Sequence, residues 1–268
     1  MLSHRELVLA LRNLRVDGST PVIVHTSLSA FGQVAGGADA VVGALLGHFE
    51  TVVMPTFTYK TMIVPQSGPP NNAMEYGTMK DRNKMAEFFY NDMPADKLMG
   101  VIAETLRQHR GAHRSGHPIL SFCGVNADDI LEAQTLSTPL APIASLADRN
   151  GWVLLLGVNH KSNTSIHMGE RLAGRKTFTR WALMPDIIVE CPKFPSCSDG
   201  FDTIQPLMDP FTYTTQAGDA LFRAMPLPEL IEATRQLLQA DPLALLCTRP
   251  ECPRCNAVRE EVKKLKGA

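Results

Sequence analysis

The chain has 268 residues, 44% of them apolar and 20% charged, and a formal net charge of −1. A chain of this length can bury a sizeable core, in one domain or in one domain with an appendage. Its near-neutral charge, with no run of basic residues, argues against a nucleic-acid or anionic-membrane partner, and no apolar stretch reaches the length of a bilayer span.

Ser3, three residues before Glu6, forms a capping-box pattern that opens an amphipathic helix over 3–14, unlike a secretory leader. The turn signal Asp17-Gly18 leads to a short strand over 21–25. A polar loop, 26–32, and the pair Gly36-Gly37 precede a helix over 38–46, and a second strand over 51–54 ends at Pro55. This order of strand, helix and strand predicts a doubly wound α/β unit. From about Lys60 to Asp96 there is little periodicity, and a segment that long reads as a lid or binding loop. A helix over 98–109, a strand near 118–123, a helix over 127–134 and a strand over 152–158 resume the alternation. Beyond a helix that carries His167, the pattern predicts a strand near 186–190 and a cysteine-bearing turn. Helices around 216–224, 228–239 and 256–265 follow.

The run from Leu154 to Glu170 carries the clearest chemistry. Residues 152–158 read as a strand buried on both faces, and Gly157 lets the chain turn off the sheet, so the next polar groups fall at its carboxyl edge. With Asn163 as cap, Thr164 stands at the helix amino terminus, and His167 and Glu170 share one face. A carboxylate so placed orients an imidazole and stabilises its protonated form, as general-base chemistry requires. Asp199 competes with Glu170 for that role. The alternative is a capped surface helix with an ordinary His/Glu pair.

With no leader pattern, the chain is expected to be cytoplasmic, so its six cysteines should be free or metal-bound rather than disulfide-linked. Cys252-Pro-Arg-Cys255 has the spacing that places two thiolates on one zinc ion, and Cys247 and Cys197 complete a set of four for a closed structural site. Cys191 is a fifth candidate, in place of Cys197 or in the core. Buried free thiols, or a redox pair at Cys252 and Cys255, are the other readings.

Four blocks then occur in order. They are His25-Thr-Ser-Leu-Ser-Ala-Phe-Gly32 with Gly36-Gly37; Val53-Met-Pro-Thr-Phe-Thr58; Arg114-Ser-Gly-His-Pro118 with Ser121; and Leu155-Leu-Gly-Val158 with Asn163, Thr164, His167 and Glu170. Over about residues 3–265 they resemble the aminoglycoside 3-N-acetyltransferase, or antibiotic acetyltransferase, family. The resemblance implies one domain over 1–268, an α/β fold with a mixed central sheet flanked by helices, and a carboxyl-terminal helical segment holding the cysteines. It implies acetyl transfer from acetyl-CoA to the 3-amino group of an aminoglycoside, through a ternary complex. On the family pattern His167 matches the general base, Thr164 the donor to the developing oxyanion, and Glu170 the nearby acid. No G-x-S-x-G elbow is present, which argues against an acyl-enzyme on serine.

By the same resemblance the first block is the CoA site. Thr26, Ser27, Leu28, Ser29, Phe31 and Gly32 form a loop whose backbone N–H groups and hydroxyls suit pyrophosphate or pantetheine, although a plain strand-to-helix turn has the same look. His25, at the strand end, is a further catalytic candidate facing the acceptor cleft, with a core or capping histidine as the other reading. Arg114, His117 and Ser121 are candidates for the CoA phosphates, with a solvated loop cation as the other reading of Arg114. A polycationic acceptor calls for carboxylates, and Glu75, Asp81, Glu87, Asp92, Asp96, Asp199 and Asp202 are the candidates. The loop from Pro65 to Tyr76 differs from the better-known resistance enzymes, which leaves another amine open as acceptor. Two rival readings change the class: a metal-dependent hydrolase using His160, His167 and Glu170, and a zinc-stabilised module that binds CoA or a partner without turnover.

Overall fold

The computed structural model describes residues 1–77 and 83–267. Its strands are β1 (Val22–Thr26), β2 (Val52–Pro55), β3 (Met62–Ile63), β4 (Ala112–Arg114), β5 (Phe122–Val125), β6 (Trp152–Leu156), β7 (Phe178–Leu183), β8 (Ile188–Phe194), β9 (Tyr213–Ala217) and β10 (Ala220–Pro226). The helices are α1 (His4–Asn13), α2 (Gly37–Leu46), α3 (Val101–Gln108), α4 (Asp128–Glu132), α5 (Ala141–Ala147), α6 (Ile166–Leu172), the one-turn α7 (Gln205–Met208), α8 (Leu227–Ala240) and α9 (Pro253–Gly267).

Seven strands form a mixed sheet in the order β4-β5-β2-β1-β6-β10-β9. The parallel centre, β2-β1-β6, is made of apolar runs because both faces are covered. Alternate residues feed two separate cores. Ile23, Val53, Val153 and Leu155 join α4, α5, α6 and α8 on one face. Val22, Val24, Leu154 and Leu156 join α1, α2 and α3 on the other. A smaller antiparallel sheet, β3-β7-β8, stands beside them.

The Ser3/Glu6 capping box is present at α1. The helix expected around 216–224 is instead the β9–β10 hairpin. Gly218 turns it with φ +58°, and Ala220, Phe222 and Ala224 point into the core at strand spacing. The strand expected near 118–123 runs over 122–125 and is paired with β4, because residues 117–121 are a turn built on His117.

Candidate active site

β1, β2 and β6 deliver their carboxyl ends to one edge, where the chain leaves β6 at Gly157 with φ +70°. A Cβ there would stand 2.7 Å from that of Ala30, so the turn requires glycine. A 3-10 turn over His160–Ser162, capped by Asn159, leads to α6. The expected Asn163 cap is not what starts this helix: its cap position is Ser165, with no side-chain capping bond. Asn163 instead accepts from the Ser165 N–H at 3.2 Å and donates to His160 Nδ1 at 3.3 Å. Thr164 lies in the turn just before the helix, and its carbonyl accepts the His167 N–H.

One helical turn then brings the imidazole and the carboxylate together. His167 Nδ1 is 2.6 Å from Glu170 Oε2, with both side chains buried. Arg175 donates to Glu170 Oε1 at 2.8 Å, and the Ser196 hydroxyl reaches both carboxylate oxygens at 2.8 and 2.7 Å. Burial pushes Glu170 upward, but the His167 hydrogen bond and the opposing charges of His167 and Arg175, with Ser196, outweigh it and hold the carboxyl below its usual range. An ionised Glu170 accepts from Nδ1–H, so that in the neutral ring Nε2 is the atom left to accept. Gly169 permits this placement, since a Cβ on it would meet the Thr234 side chain at 2.4 Å and the Ile231 carbonyl at 2.8 Å on α8.

His167 and Thr164 line a cavity of about 340 Å³, together with His25, Thr26, Tyr59 and Arg254. A cavity of about 460 Å³ shares Ser162 with it and runs along Ser27, Gly157 and Asn159. A third, about 830 Å³, shares Tyr59, Leu98, Phe194 and Arg254 and continues to Arg180 and Glu75. The imidazole thus lines a chamber that shares wall residues with two further cavities, its two arms. His25 Nε2 and Thr26 Oγ1 are buried there without a protein partner, and burial, helped by the charge of His160, drives His25 down to about 3, so its ring is neutral.

The family model described as aminoglycoside 3-N-acetyltransferase matches residues 23–239. The chain belongs to that family. The aminoglycoside N(3')-acetyltransferase-like protein YokD of Bacillus subtilis is 34% identical over 189 residues, covering 67% of this chain and 68% of YokD. Aminoglycoside N(3)-acetyltransferase VII of Streptomyces paromomycinus is 34% identical over 170 residues, covering 59% of this chain and 56% of that protein. In fold, the crystal structure of YokD covers 90% of this chain and 100% of its own, with a TM-score of 0.77 at 23% identity. The apoenzyme of aminoglycoside acetyltransferase AAC(3)-IVa covers 97% of each chain, with a TM-score of 0.77 at 24% identity. AAC-IIIb in a binary structure with CoASH matches with a TM-score of 0.74 at 20% identity, over 89% of this chain and 96% of that one. The mixed sheet flanked by helices is thus the fold of this acetyltransferase family.

Within the family frame, the first block divides between loop and core. Ser27 lines the 460 Å³ arm, with its hydroxyl 3.1 Å from that of Ser29. Leu28 and Ser29 belong to a 3-10 turn over Leu28–Phe31. Phe31 is a core residue, edge-on to Phe222 at 5.2 Å, and Gly32 takes φ +74° where a Cβ would strike Asp219.

Arg114, His117 and Ser121 line none of these three cavities. Arg114 donates to Ser121 Oγ at 3.0 Å, to the Thr56 carbonyl at 2.6 Å and to the carbonyls of Asn91 and Met93, with Phe89 under its guanidinium. Burial lowers it to about 10, and its donors point inward, tying 89–93 to the end of β2. His117 Nδ1 accepts from the N–H groups of Ile119 and Leu120, and burial lowers it to about 4.

Of the carboxylates expected to meet a cationic acceptor, Glu75 lines the 830 Å³ arm. Glu87 pairs with Lys60, Asp96 caps a 3-10 turn, and Asp92 lines none of the three cavities. Asp199 pairs with Arg249 rather than with His167, and Asp202 accepts from Asn159 and faces Lys161. Asp81 lies outside the described residues.

The Sγ atoms of Cys197, Cys247, Cys252 and Cys255 all lie within 4.8 Å of one another, and all four residues are buried. Among the described residues this is the one group of three or more side chains gathered closely enough to hold a metal ion, so His160, His167 and Glu170 do not form a metal site. Cys191 belongs to the apolar core, where burial pushes its thiol up to about 12.

Ser196, Arg175, Gly169 and Arg254 complete the site and were not singled out from the sequence. Arg175 follows Glu170 by five positions, past Arg-Leu-Ala-Gly, at no spacing that marks a partner, and Ser196 stands beside Cys197 with no local pattern to mark it.

Proposed function

We propose that the protein, acting through residues 1–268 as one unit, transfers the acetyl group of acetyl-CoA to the 3-amino group of an aminoglycoside. The observation that carries this reading is the imidazole of His167. Its Nδ1 is taken by a carboxylate that is itself fully hydrogen-bonded, and its ring lines the chamber between the two arms. Solved relatives with CoASH and with a gentamicin support the two substrate classes.

In the proposed reaction the thioester enters along the arm lined by Ser27 and Gly157, and the amine along the arm beyond Tyr59. A neutral amine nitrogen attacks the thioester carbonyl carbon while Nε2 of His167 takes its proton, and Glu170 stabilises the resulting imidazolium. The Thr164 hydroxyl donates to the developing oxyanion. Collapse of the tetrahedral intermediate breaks the C–S bond, and the imidazolium returns the proton to the CoA thiolate. His25, neutral and buried at the end of β1, forms a polar wall that adds no charge against the amine. No cysteine lines the chamber, so the sulfur cluster stands outside the transfer step.

A second acceptor class is favoured by the charges of the 830 Å³ arm. Arg180 and Arg254 line it, and Glu75 is the carboxylate among its described lining residues. Both guanidiniums stack on Phe194, at 5.1 and 5.9 Å. Two cations there suit an amine that carries an anionic group. Thiol release from acetyl-CoA, measured with a panel of aminoglycosides and of amines bearing a carboxylate or phosphate, separates the two. Turnover of aminoglycosides alone establishes the first reading. Turnover of the anionic amines alone replaces it with the second.

A further inference from the structure

We propose that Cys197, Cys247, Cys252 and Cys255 bind one zinc ion as four thiolates, and that this knot holds Ser196 against Glu170 and Arg254 at the rim of the chamber. The sulfur geometry carries the first half. A tetrahedral site with Zn–S of about 2.3 Å places its sulfurs roughly 3.8 Å apart, and the four Sγ atoms, all within 4.8 Å of one another, need only a small contraction to meet it. All four sulfurs belong to buried residues that pack together as a cluster of their own, with Leu246 against it, and the set is closed, as structural sites are. Binding releases the thiol protons and leaves a net charge of −2 on the tetrathiolate site, in surroundings already prepared for anionic sulfur. Arg249 donates to Cys197 Sγ at 3.8 Å and is itself held by Asp199.

The second half follows from what the ligands are attached to. Cys197 directly follows Ser196, whose hydroxyl bridges both oxygens of Glu170. Arg254 lies between Cys252 and Cys255, donates to the Ser196 carbonyl at 2.9 Å, and lines the chamber. Arg259, one turn further along α9, donates to the Cys247 carbonyl and ties the remaining ligand loop to the same helix. Without a metal, the 195–199 turn meets the start of α9 through the Arg254 hydrogen bonds and weak thiol contacts. With one, the two segments that position Ser196 and Arg254 are bonded to a common centre. Ser196 is therefore a positioning residue set by the metal, and the place of Arg254 on the chamber wall is set by the same centre.

The test is metal analysis of the full chain from zinc-replete culture, with cobalt substitution as a probe of the ligand set. About one zinc per chain is expected, and thiolate-to-cobalt charge-transfer absorption that Cys255→Ser abolishes. A folded, metal-free protein with four titratable thiols, or with a Cys197 to Cys255 disulfide, overturns the site. For the link to the chamber, chelated protein that stays folded should lose about 10- to 100-fold in kcat with little change in KM for acetyl-CoA, because no cysteine borders the Ser27 arm. Ser196→Ala should keep its zinc and reproduce that kcat loss, which decides the matter if chelation unfolds the chain. Unchanged kcat in Ser196→Ala overturns the link, and zinc content reads out the site whether or not the acceptor is an aminoglycoside.

Discussion

Glu170 and Arg175 form a buried ion pair at 2.8 Å, with side chains 4% and 3% exposed, and the same carboxylate holds His167 on its other oxygen. Arg175 is anchored in turn by the carbonyls of Pro242 and Ala244. The imidazole is thus fixed through a chain of contacts that reaches the segment after α8.

Glu170→Gln should cost about 3–5 kcal/mol of stability, because it leaves the Arg175 charge buried without its partner. It should also lower kcat by about 10²–10⁴-fold, because an amide NH2 facing Nδ1 favours the wrong imidazole tautomer. The sign of the pH effect follows from the lowered carboxyl. Its stabilisation is fully present above the unfolded value near 4.5 and is lost as pH falls through the lower folded value. Thermal unfolding of both proteins between pH 7 and pH 3 checks this, and the variant should show the shallower acid decline.

Three buried histidines set a second, higher pH window. Burial lowers His25 to about 3 and His117 and His160 to about 4, from an ordinary 6.5. The unfolded chain therefore takes up protons that the folded chain refuses. Stability is full above about 6.5 and falls as pH drops, by up to roughly 1.4 kcal/mol per pH unit for each ring. His117→Asn, whose amide oxygen can still accept from the turn, should reduce that slope in a series of Tm against pH. A Tm that stays level from pH 7 to pH 5 in the unmutated protein would contradict the account.

Arg114→Lys distinguishes a loop staple from a phosphate contact. An ammonium cannot serve Ser121, Thr56, Asn91 and Met93 together, so the variant should lose about 2–3 kcal/mol of stability with KM for acetyl-CoA nearly unchanged. A large rise in KM with unchanged stability would instead place Arg114 on the CoA phosphates.

Gly169→Ala should be more damaging than its single methyl suggests. The nearest obstacles are Thr234 and the Ile231 carbonyl, backbone that cannot turn aside, so α6 must shift off α8. About 1–3 kcal/mol of stability should be lost, and kcat should fall with it because His167 and Glu170 ride on the same helix. Urea unfolding and steady-state kinetics on one preparation check both.

Much of this was legible in the chain because the signals are local. The capping box at Ser3 and Glu6 and the i, i+3 spacing of His167 and Glu170 depend on neighbours within a few residues, and the β1–α2–β2 unit shows as three short elements, each with its own local pattern. The cysteine set was legible through its spacing. What escaped depends on distant packing. Phe178–Leu183 alternates, but its inward face carries Arg180 stacked on Phe178 and Phe194, so the apolar pattern of β7 is hidden. The stretch through Ala220, Phe222 and Ala224 has apolar residues that suit a helix in isolation, and pairing with β6 and with β9 selects a strand. Ser196 reaches Glu170 across 26 residues, which no spacing rule encodes.

The central claim is that His167 removes the proton of an attacking amine, and the most direct measurement compares acetyl transfer by the unmutated protein and His167→Ala, with CoA binding measured on both. The account predicts acceptor-dependent thiol release and a product heavier by one acetyl group from the first. From the second it predicts a loss of about 10²–10⁴-fold in transfer with CoA affinity retained. Near-normal turnover in His167→Ala, or CoA binding by the unmutated protein with no acetylated product from any amine, would contradict it.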